Sequence, residues 1–401
     1  MSTVTHLPPK VSVRQRVASI DILRGLLMVL MALDHTRDYF GVWQQTINPT
    51  DPLRSWPAMF FTRWVTHLCA PGFVALAGTS VYLQLQRGKS TGEVRKLLLT
   101  RGLWLMLLEP TLISFGWSFN LAPGLQVIWA IGFSMIFLGL LIGLPTAAIG
   151  AVGAAIVLLH NLLDGIRMQP GTGIGTLWEF LHQQGPILFH HQFVGLIAYP
   201  VVPWIGVICL GYVFGALTIW TPELRRAMAR ALGVAMLAVF ALLRVLHGYG
   251  DSFKLEPLGG FWRDTMSFLQ VTKYPPSLQY LLVTLGILLL LYSAFDWLET
   301  SELLPKLRGV LDVYGRVPFF YYVLHIYLIH LGALLLTAEL HLNWRFWLQP
   351  GSVFIGYLPH WGFGLPVVYA VWLSAVALLY LPCRWFSRLK ARRRDWWLSY
   401  L

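Results

Sequence analysis

Apolar stretches of membrane length follow one another along most of the 401-residue chain, and that succession constrains the fold more than any single motif. They run over roughly 18–37, 58–84, 97–117, 125–143, 145–162, 199–220, 227–247, 277–297, 315–337 and 365–385. Each can cross about 30 Å of hydrocarbon as a helix, the stretch 145–162 only just. Composition agrees: 56% of residues are hydrophobic and 12% charged, and the charged share is about half that of an average globular chain. The expectation is an all-α polytopic membrane protein of about ten transmembrane helices. Residues 1–401 read as one transmembrane domain, with a basic leader at 1–17 and a basic tail at 386–401. The first apolar run is itself a full span with charges in it, so no removable signal peptide is read.

Lys and Arg set the orientation. With the N-terminus in the cytoplasm, the leader and four further basic segments, including Arg87–Arg101, Arg225–Arg230, Lys306–Arg316 and the tail from Arg384, fall on that side. About twenty basic residues then lie inside against roughly eight outside. An even number of spans returns the C-terminus to the cytoplasm, as its Arg cluster requires. The net charge of +12 follows from this topology and from anionic lipid, and does not indicate nucleic acid. Cys69, Cys209 and Cys383 lie within or at the ends of spans; with no disulfide framework or metal spacing, they read as small apolar packers. The expected outer links, roughly 38–57, 163–198, 248–276 and 338–364, are longer and rich in Trp, Pro, Gly and His. Within them, Trp178 to Phe189 is compatible with a short interfacial helix.

Ionisable residues inside a bilayer are costly and default to functional hypotheses. Arg24 and His35 lie in the first span, 11 residues apart. At about 100° per residue that spacing is roughly three helical turns, so both side chains share a face, about 16 Å apart. Such a line can hold a long anionic molecule end to end. His35 suits a general base, and Asp34 beside it could hold one tautomer, although neighbours on a helix point about 100° apart. A solvated helix end explains Asp34 and His35 equally well. Arg24 has an ordinary alternative in pairing with Asp21, and a functional one as a phosphate ligand together with Arg101 and Arg316 at the cytoplasmic starts of other spans.

Other candidates are less specific. His67 follows Arg63 by one turn in the second span, where a buried core histidine is an equal reading. Tyr321 and His325 are i,i+4 neighbours, and Tyr322 is within reach of the same helix-lined cavity. Glu109 precedes Pro110 in the third span and reads as the structural partner of an Arg. Trp204, Lys273 and Tyr274 sit at the outer starts of spans, where aromatic residues serve as interface anchors or as sugar-binding platforms.

Taken together, these segments resemble a known family. Arg16-x-x-Ser-Ile-Asp21-Ile-Leu-Arg24-Gly25-Leu followed by His35 is similar to the opening span of transmembrane acyltransferases, in which an Arg or Lys precedes a His at this spacing. Leu68-x-x-Pro71-Gly72-Phe-Val-x-x-x-Gly78, Tyr199-Pro-x-x-Pro-Trp-Ile-Gly, Thr272-Lys-Tyr-Pro-Pro-Ser, Gly315-Arg-Val-Pro-Phe-Phe-Tyr-Tyr-Val-Leu-His325 and Arg393-Arg-Asp-Trp-Trp resemble bacterial relatives of heparan-α-glucosaminide N-acetyltransferase. The resemblance covers nearly the whole chain. It implies an integral protein of a bacterial cytoplasmic membrane that takes acetyl-CoA, as co-substrate, from the cytoplasm and acetylates a sugar or glycan acceptor on the far side. It implies no metal. Membrane lipid is a partner, and a second copy of the chain is a candidate one. The heparan enzyme carries Asn at the position matching His35 and its key His in the next outer loop. Here Tyr39 to Arg54 contains no His, so the resemblance gives the base role to His35 itself.

The expected site therefore has His35, Asp34, His67, Tyr321 and His325 at the reaction, Arg24, Arg101 and Arg316 on the CoA phosphates, and Lys273, Tyr274 and Trp204 on the acceptor. The rivals are a secondary transporter of an anionic metabolite and a structural or lipid-binding membrane protein.

Overall fold

A computed structural model describes residues 17–42, 47–190, 192–301, 303–393 and 395–399. The helices are α1 Ala18–Phe40, α2 Pro57–Trp64, α3 Cys69–Gln86, α4 Thr91–Leu108, α5 Ser114–Ser118, α6 Val127–Leu141, α7 Thr146–Leu159, α8 Gly173–Leu181, α9 Val202–Thr218, α10 Pro222–Val245, α11 Phe261–Leu269, α12 Leu278–Thr300, α13 Pro305–Arg316, α14 Pro318–Glu339, α15 Ser352–Ile355 and α16 Leu365–Arg392. All ten apolar runs are helical over most of their length. Among the described residues, seven continuous helical stretches are long and apolar enough to cross a membrane: 57–86, 91–118, 146–163, 222–245, 278–300, 318–339 and 365–392. α6 and α9 are apolar but shorter, and α1 is long but carries Asp21, Arg24, Asp34, Arg37 and Asp38.

The molecule is mostly helical and not purely so. Strands β1 Gly124–Leu125, β2 Gly185–Phe189 and β3 Gln192–Ile197 form a small sheet in the order β1-β3-β2, with β1 parallel and β2 antiparallel to β3. The helix expected over Trp178–Phe189 is thereby corrected: α8 ends at Leu181 and the chain continues into β2. Pro186 has no N–H for a continuing helical ladder, and Leu188 and Phe189 extend readily on a strand.

α1 runs through the middle of the bundle against α3, α12, α13, α14 and α16. Its charged side chains find partners inside the bundle, as a low-dielectric surrounding demands. Toward the N-terminal end, the Arg24 guanidinium binds Asp21 (2.8 Å), the Gly315 carbonyl (3.1 Å) and Ser80 Oγ (3.1 Å). Close by, the Ser19 hydroxyl donates to the buried Asp296, which also pairs with Arg225 at 2.6 Å and so joins α1, α10 and α12. Backbones touch where α1 meets α13: a Cβ at Gly25 would lie 1.9 Å from the Leu311 carbonyl oxygen, and one at Gly315 only 1.8 Å from that of Asp21.

Glu109 is a second correction. Its partner is no arginine but the start of α6, where its carboxylate accepts the Trp129 N–H at 2.8 Å. Pro110 interrupts the helical ladder here, and residues 109–113 widen into a π-turn closed by Ser114 Oγ donating to the Glu109 carbonyl (2.7 Å). Glu109 thus neutralises orphan donors at a helix N-terminus buried in the bundle.

Candidate active site

The last turns of α1 end in a cavity of about 460 Å³. α1 contributes Asp34, His35, Arg37 and Asp38; the α2–α3 segment contributes Arg63, Thr66 and Cys69. The small sheet sets Gln126, just after β1, and Tyr199, just after β3, on the same wall. Trp117, Lys273, Tyr274, Tyr322 and Phe354 complete it. Three of the four expected outer links therefore reach this cavity, through Asp38 and Ile47–Pro49, Lys273–Tyr274, and Phe354, and Tyr199 directly follows the fourth.

His35 is the best-defined element. Its Nδ1 lies 2.6 Å from His325 Nε2, with the rings stacked at 4.8 Å. His325 Nδ1 is 3.0 Å from the Tyr321 carbonyl oxygen. A carbonyl only accepts, so His325 Nδ1 carries a proton and, in the neutral ring, His325 Nε2 accepts. His35 Nδ1 must then donate, which leaves the Nε2 lone pair of neutral His35 open. Trp117 holds the ring from the side, edge-on at 4.6 Å, and is itself fixed by its carbonyl accepting the Tyr39 hydroxyl at 2.6 Å. His325 thus does for His35 what a carboxylate does in the familiar hydrolase triads: it fixes tautomer and ring plane.

Asp34 is committed elsewhere. It pairs with Arg37 at 2.9 Å and Arg63 at 3.3 Å, and Arg37 also holds Asp38 at 2.6 Å. Arg63 gains a further acceptor in Thr66 Oγ1 at 2.7 Å. This ionic chain fastens α1 to the α2–α3 segment directly beside His35.

The remaining expected residues divide. Lys273 and Tyr274 line the cavity. His67 does not: its ring packs 5.4 Å from Tyr280, its carbonyl accepts the Tyr280 hydroxyl, and its Nδ1 has no hydrogen-bond partner. Tyr321 lies behind His325, ring on ring at 5.2 Å, and serves through its carbonyl while its buried hydroxyl is unpartnered. Trp204 is fully buried, 5.5 Å behind Tyr199, and is a core residue with neither cavity nor interface exposure. Arg24 binds the carbonyl of Gly315, the residue before Arg316, at the α13–α14 corner; Arg316 is 40% exposed and pairs with Asp312 at 2.6 Å. Arg101 lies on α4 and is half-buried.

Sequence reasoning assigned no role in the site to Arg37, Asp38, Arg63, Trp117, Tyr199 or Tyr322. Arg63 and Asp38 carried a signal, as charges bordering apolar spans. The adjacent Tyr321 and Tyr322 carry the same signal in sequence, and only the helix rotation shows that Tyr322 is the one on the cavity wall.

The family model described as Heparan-alpha-glucosaminide N-acetyltransferase, catalytic, matches residues 16–250, more than half of the chain. No curated protein matches. The matched segment contains Asp34, His35, Arg63 and Tyr199, whereas Lys273, Tyr274, Tyr322 and His325 lie beyond its end.

Proposed function

The chain belongs to the heparan-alpha-glucosaminide N-acetyltransferase catalytic family, and we propose that it moves the acetyl group of cytoplasmic acetyl-CoA to a hydroxyl or amine of a sugar or glycan on the outer side of the membrane. Family membership supports a membrane-bound acetyltransferase with acetyl-CoA as donor. The donor side, the acceptor class and a topology of ten crossings with both termini cytoplasmic belong to this reading. The single observation that carries it is the His35–His325 pair, which sets an imidazole with an open nitrogen on the wall of a polar cavity inside a membrane bundle.

In the proposed reaction, His35 Nε2 takes the proton of the acceptor O–H or N–H as that atom attacks the thioester carbonyl carbon. The imidazolium so formed keeps its Nδ1–H on His325. The tetrahedral intermediate collapses with rupture of the C–S bond, and the departing CoA thiolate recovers the proton from His35. Tyr322, which lines the cavity 6.3 Å from His35 between ring centroids, supplies a donor for the carbonyl oxygen as it becomes an oxyanion. Asp34, held by Arg37 and Arg63, fixes the end of α1. The CoA phosphates are placed at the corner shared by Arg24 and Arg316, where Arg24 exchanges its Ser80 and Gly315 contacts for phosphate oxygens; Arg101 is the more distant candidate. His67 and Trp204 pack behind the acceptor wall.

Purified full-length protein given acetyl-labelled acetyl-CoA and a panel of sugars tests this. The expected result is label bound covalently to a sugar, with an equal amount of free CoA thiol. Acetyl-CoA left intact, while reconstituted vesicles accumulate an unmodified anion, would make the protein a transporter.

A further inference from the structure

Tyr274 is half-buried and lines the cavity with His35, together with Lys273, Arg63 and Tyr199. Its ring meets that of Tyr199 edge-on, 5.2 Å between centroids, and the Lys273 ammonium lies 5.1 Å from its centroid. Three parts of the chain thus converge on one phenol: Arg63 comes from α2, Tyr199 follows β3, and Lys273 belongs to the same loop. Burial by itself would raise this phenol, yet it falls below its ordinary value. The cause is the Lys273 ammonium first and the Arg63 guanidinium next, with Tyr199 and Lys273 also hydrogen-bonding to the phenol oxygen. A phenol has one O–H to give. With its neighbours donating to the oxygen, that proton is what Tyr274 has left to offer, and their positive field makes it a stronger donor.

The loop that carries Tyr274 is fixed at both ends. Asp251 accepts the Thr272 N–H and hydroxyl, both at 2.9 Å, and the Ser277 hydroxyl at 2.5 Å, while the Ser277 N–H closes onto the Thr272 carbonyl at 3.0 Å. From the end of α7, His160 Nε2 donates to the Pro276 carbonyl at 3.0 Å, and Asn161 Oδ1 accepts the Leu278 N–H at 2.8 Å. These bonds set Lys273-Tyr274-Pro275-Pro276 against the cavity before any ligand arrives, which is what a preorganised donor requires.

We infer that Tyr274 is a catalytic residue, whose O–H joins that of Tyr322 in holding the thioester oxygen. The inference rests on the acetyl-transfer reading. As the acceptor atom attacks the carbonyl carbon, the C=O π pair moves onto oxygen, which takes a hydrogen bond from each phenol and removes neither proton. When that pair returns, the C–S bond breaks and its electrons leave with the CoA thiolate. The positive charge of Lys273 and Arg63 beside Tyr274 offsets the transient anion.

The test reads the carbonyl itself. Acetyl-CoA, isotopically labelled at the acetyl carbonyl, is bound to the full chain in detergent without acceptor, and its carbonyl stretch is followed by infrared difference spectroscopy. The band should lie lower in the wild type than in Tyr274→Phe. With a sugar supplied, the same variant should lose about 10²–10³-fold in kcat, the usual effect of one oxyanion donor, while its affinity for acetyl-CoA stays within about threefold. A ring-fluorinated tyrosine in place of Tyr274 keeps the shape and makes the phenol more acidic, so it serves even where Tyr274→Phe does not fold. A phenolate cannot donate, so activity should fall as pH rises through the Tyr274 ionisation, and fluorination should bring that fall to lower pH. A limb set by Lys273 would stay in place, and an unmoved limb overturns the inference. So do an unchanged band and kcat in Tyr274→Phe, or a loss confined to acetyl-CoA affinity. A band shift that depends on Tyr274, with no acetyl reaching any sugar, would fault the transfer reading and leave the carbonyl contact standing. Acetyl-CoA that does not bind would overturn both.

Discussion

At the scale of single residues, the proposed chemistry turns on which nitrogen of His35 is open, and that is decided 290 positions away by His325. His35→Ala should lower acetyl transfer by at least about two orders of magnitude, within the range a general base contributes, while the protein still folds. Turnover within about threefold of wild type would remove His35 from the mechanism. His325 acts through His35, so its loss should read differently. In His325→Ala, kcat should fall with the KM for acetyl-CoA unchanged, and His325→Gln, whose amide oxygen can accept the Nδ1–H, should recover part of the rate. A fall confined to KM would place His325 on the donor instead. Tyr321→Phe removes a buried hydroxyl that has no partner among the described residues, and should leave the melting temperature unchanged or higher. Sequence made His35, Arg24 and His325 visible singly, because an ionisable residue in an apolar run stands out. The Arg24–Asp21 pair was legible too, as near neighbours on one helix face; the partners on other helices were not, since pairing across the bundle leaves no trace in local spacing. Asp34 shows the limit well: adjacency to His35 suggested an orienting role, and the helix turns it toward Arg37 and Arg63.

Among the elements, α1 is the one on which the others depend. Its apolar length was legible and so was its polar line. What spacing could not show is that the Arg24 end of that line is closed by direct backbone contact with α13. Gly25→Ala or Gly315→Ala would set a methyl carbon under 2 Å from a carbonyl oxygen, so the two helices must part. Overpacking of this kind costs about 1–3 kcal/mol or more. Each variant should melt well below wild type in detergent, and a melting temperature within a degree of wild type would show that α1 and α13 are not packed this way. The same closeness explains why Arg24 is bonded to a backbone carbonyl; under the proposed donor site, the α13–α14 corner would have to yield when phosphate arrives. The sheet was not legible because its strands are short, and their pairing depends on residues 124–125 meeting residues 196–197 across three intervening helices. Glu109 was legible as an expensive carboxylate and misread in partner, because a helix N-terminus provides the compensation that sequence reasoning sought in a side chain.

For the whole molecule, polar function is segregated along the bundle. The cavity draws on the long aromatic links, while Arg24, Arg225, Asp296 and Arg316 gather with the short basic ones. On the proposed topology, in which Lys and Arg bias puts the basic end in the cytoplasm, a donor entering there would meet an acceptor arriving at the other end. This arrangement predicts a sidedness that no transporter shares. Sealed inside-out vesicles given external labelled acetyl-CoA should acetylate an acceptor trapped in the lumen and release CoA outside, with no need for free acetate. Label in the lumen as an unmodified solute, independent of any acceptor, would mean that the cavity passes its ligand through. Acetylation only when acetyl-CoA and acceptor share one side would keep the chemistry and refute the transmembrane path, because His35 would then be served from a single face.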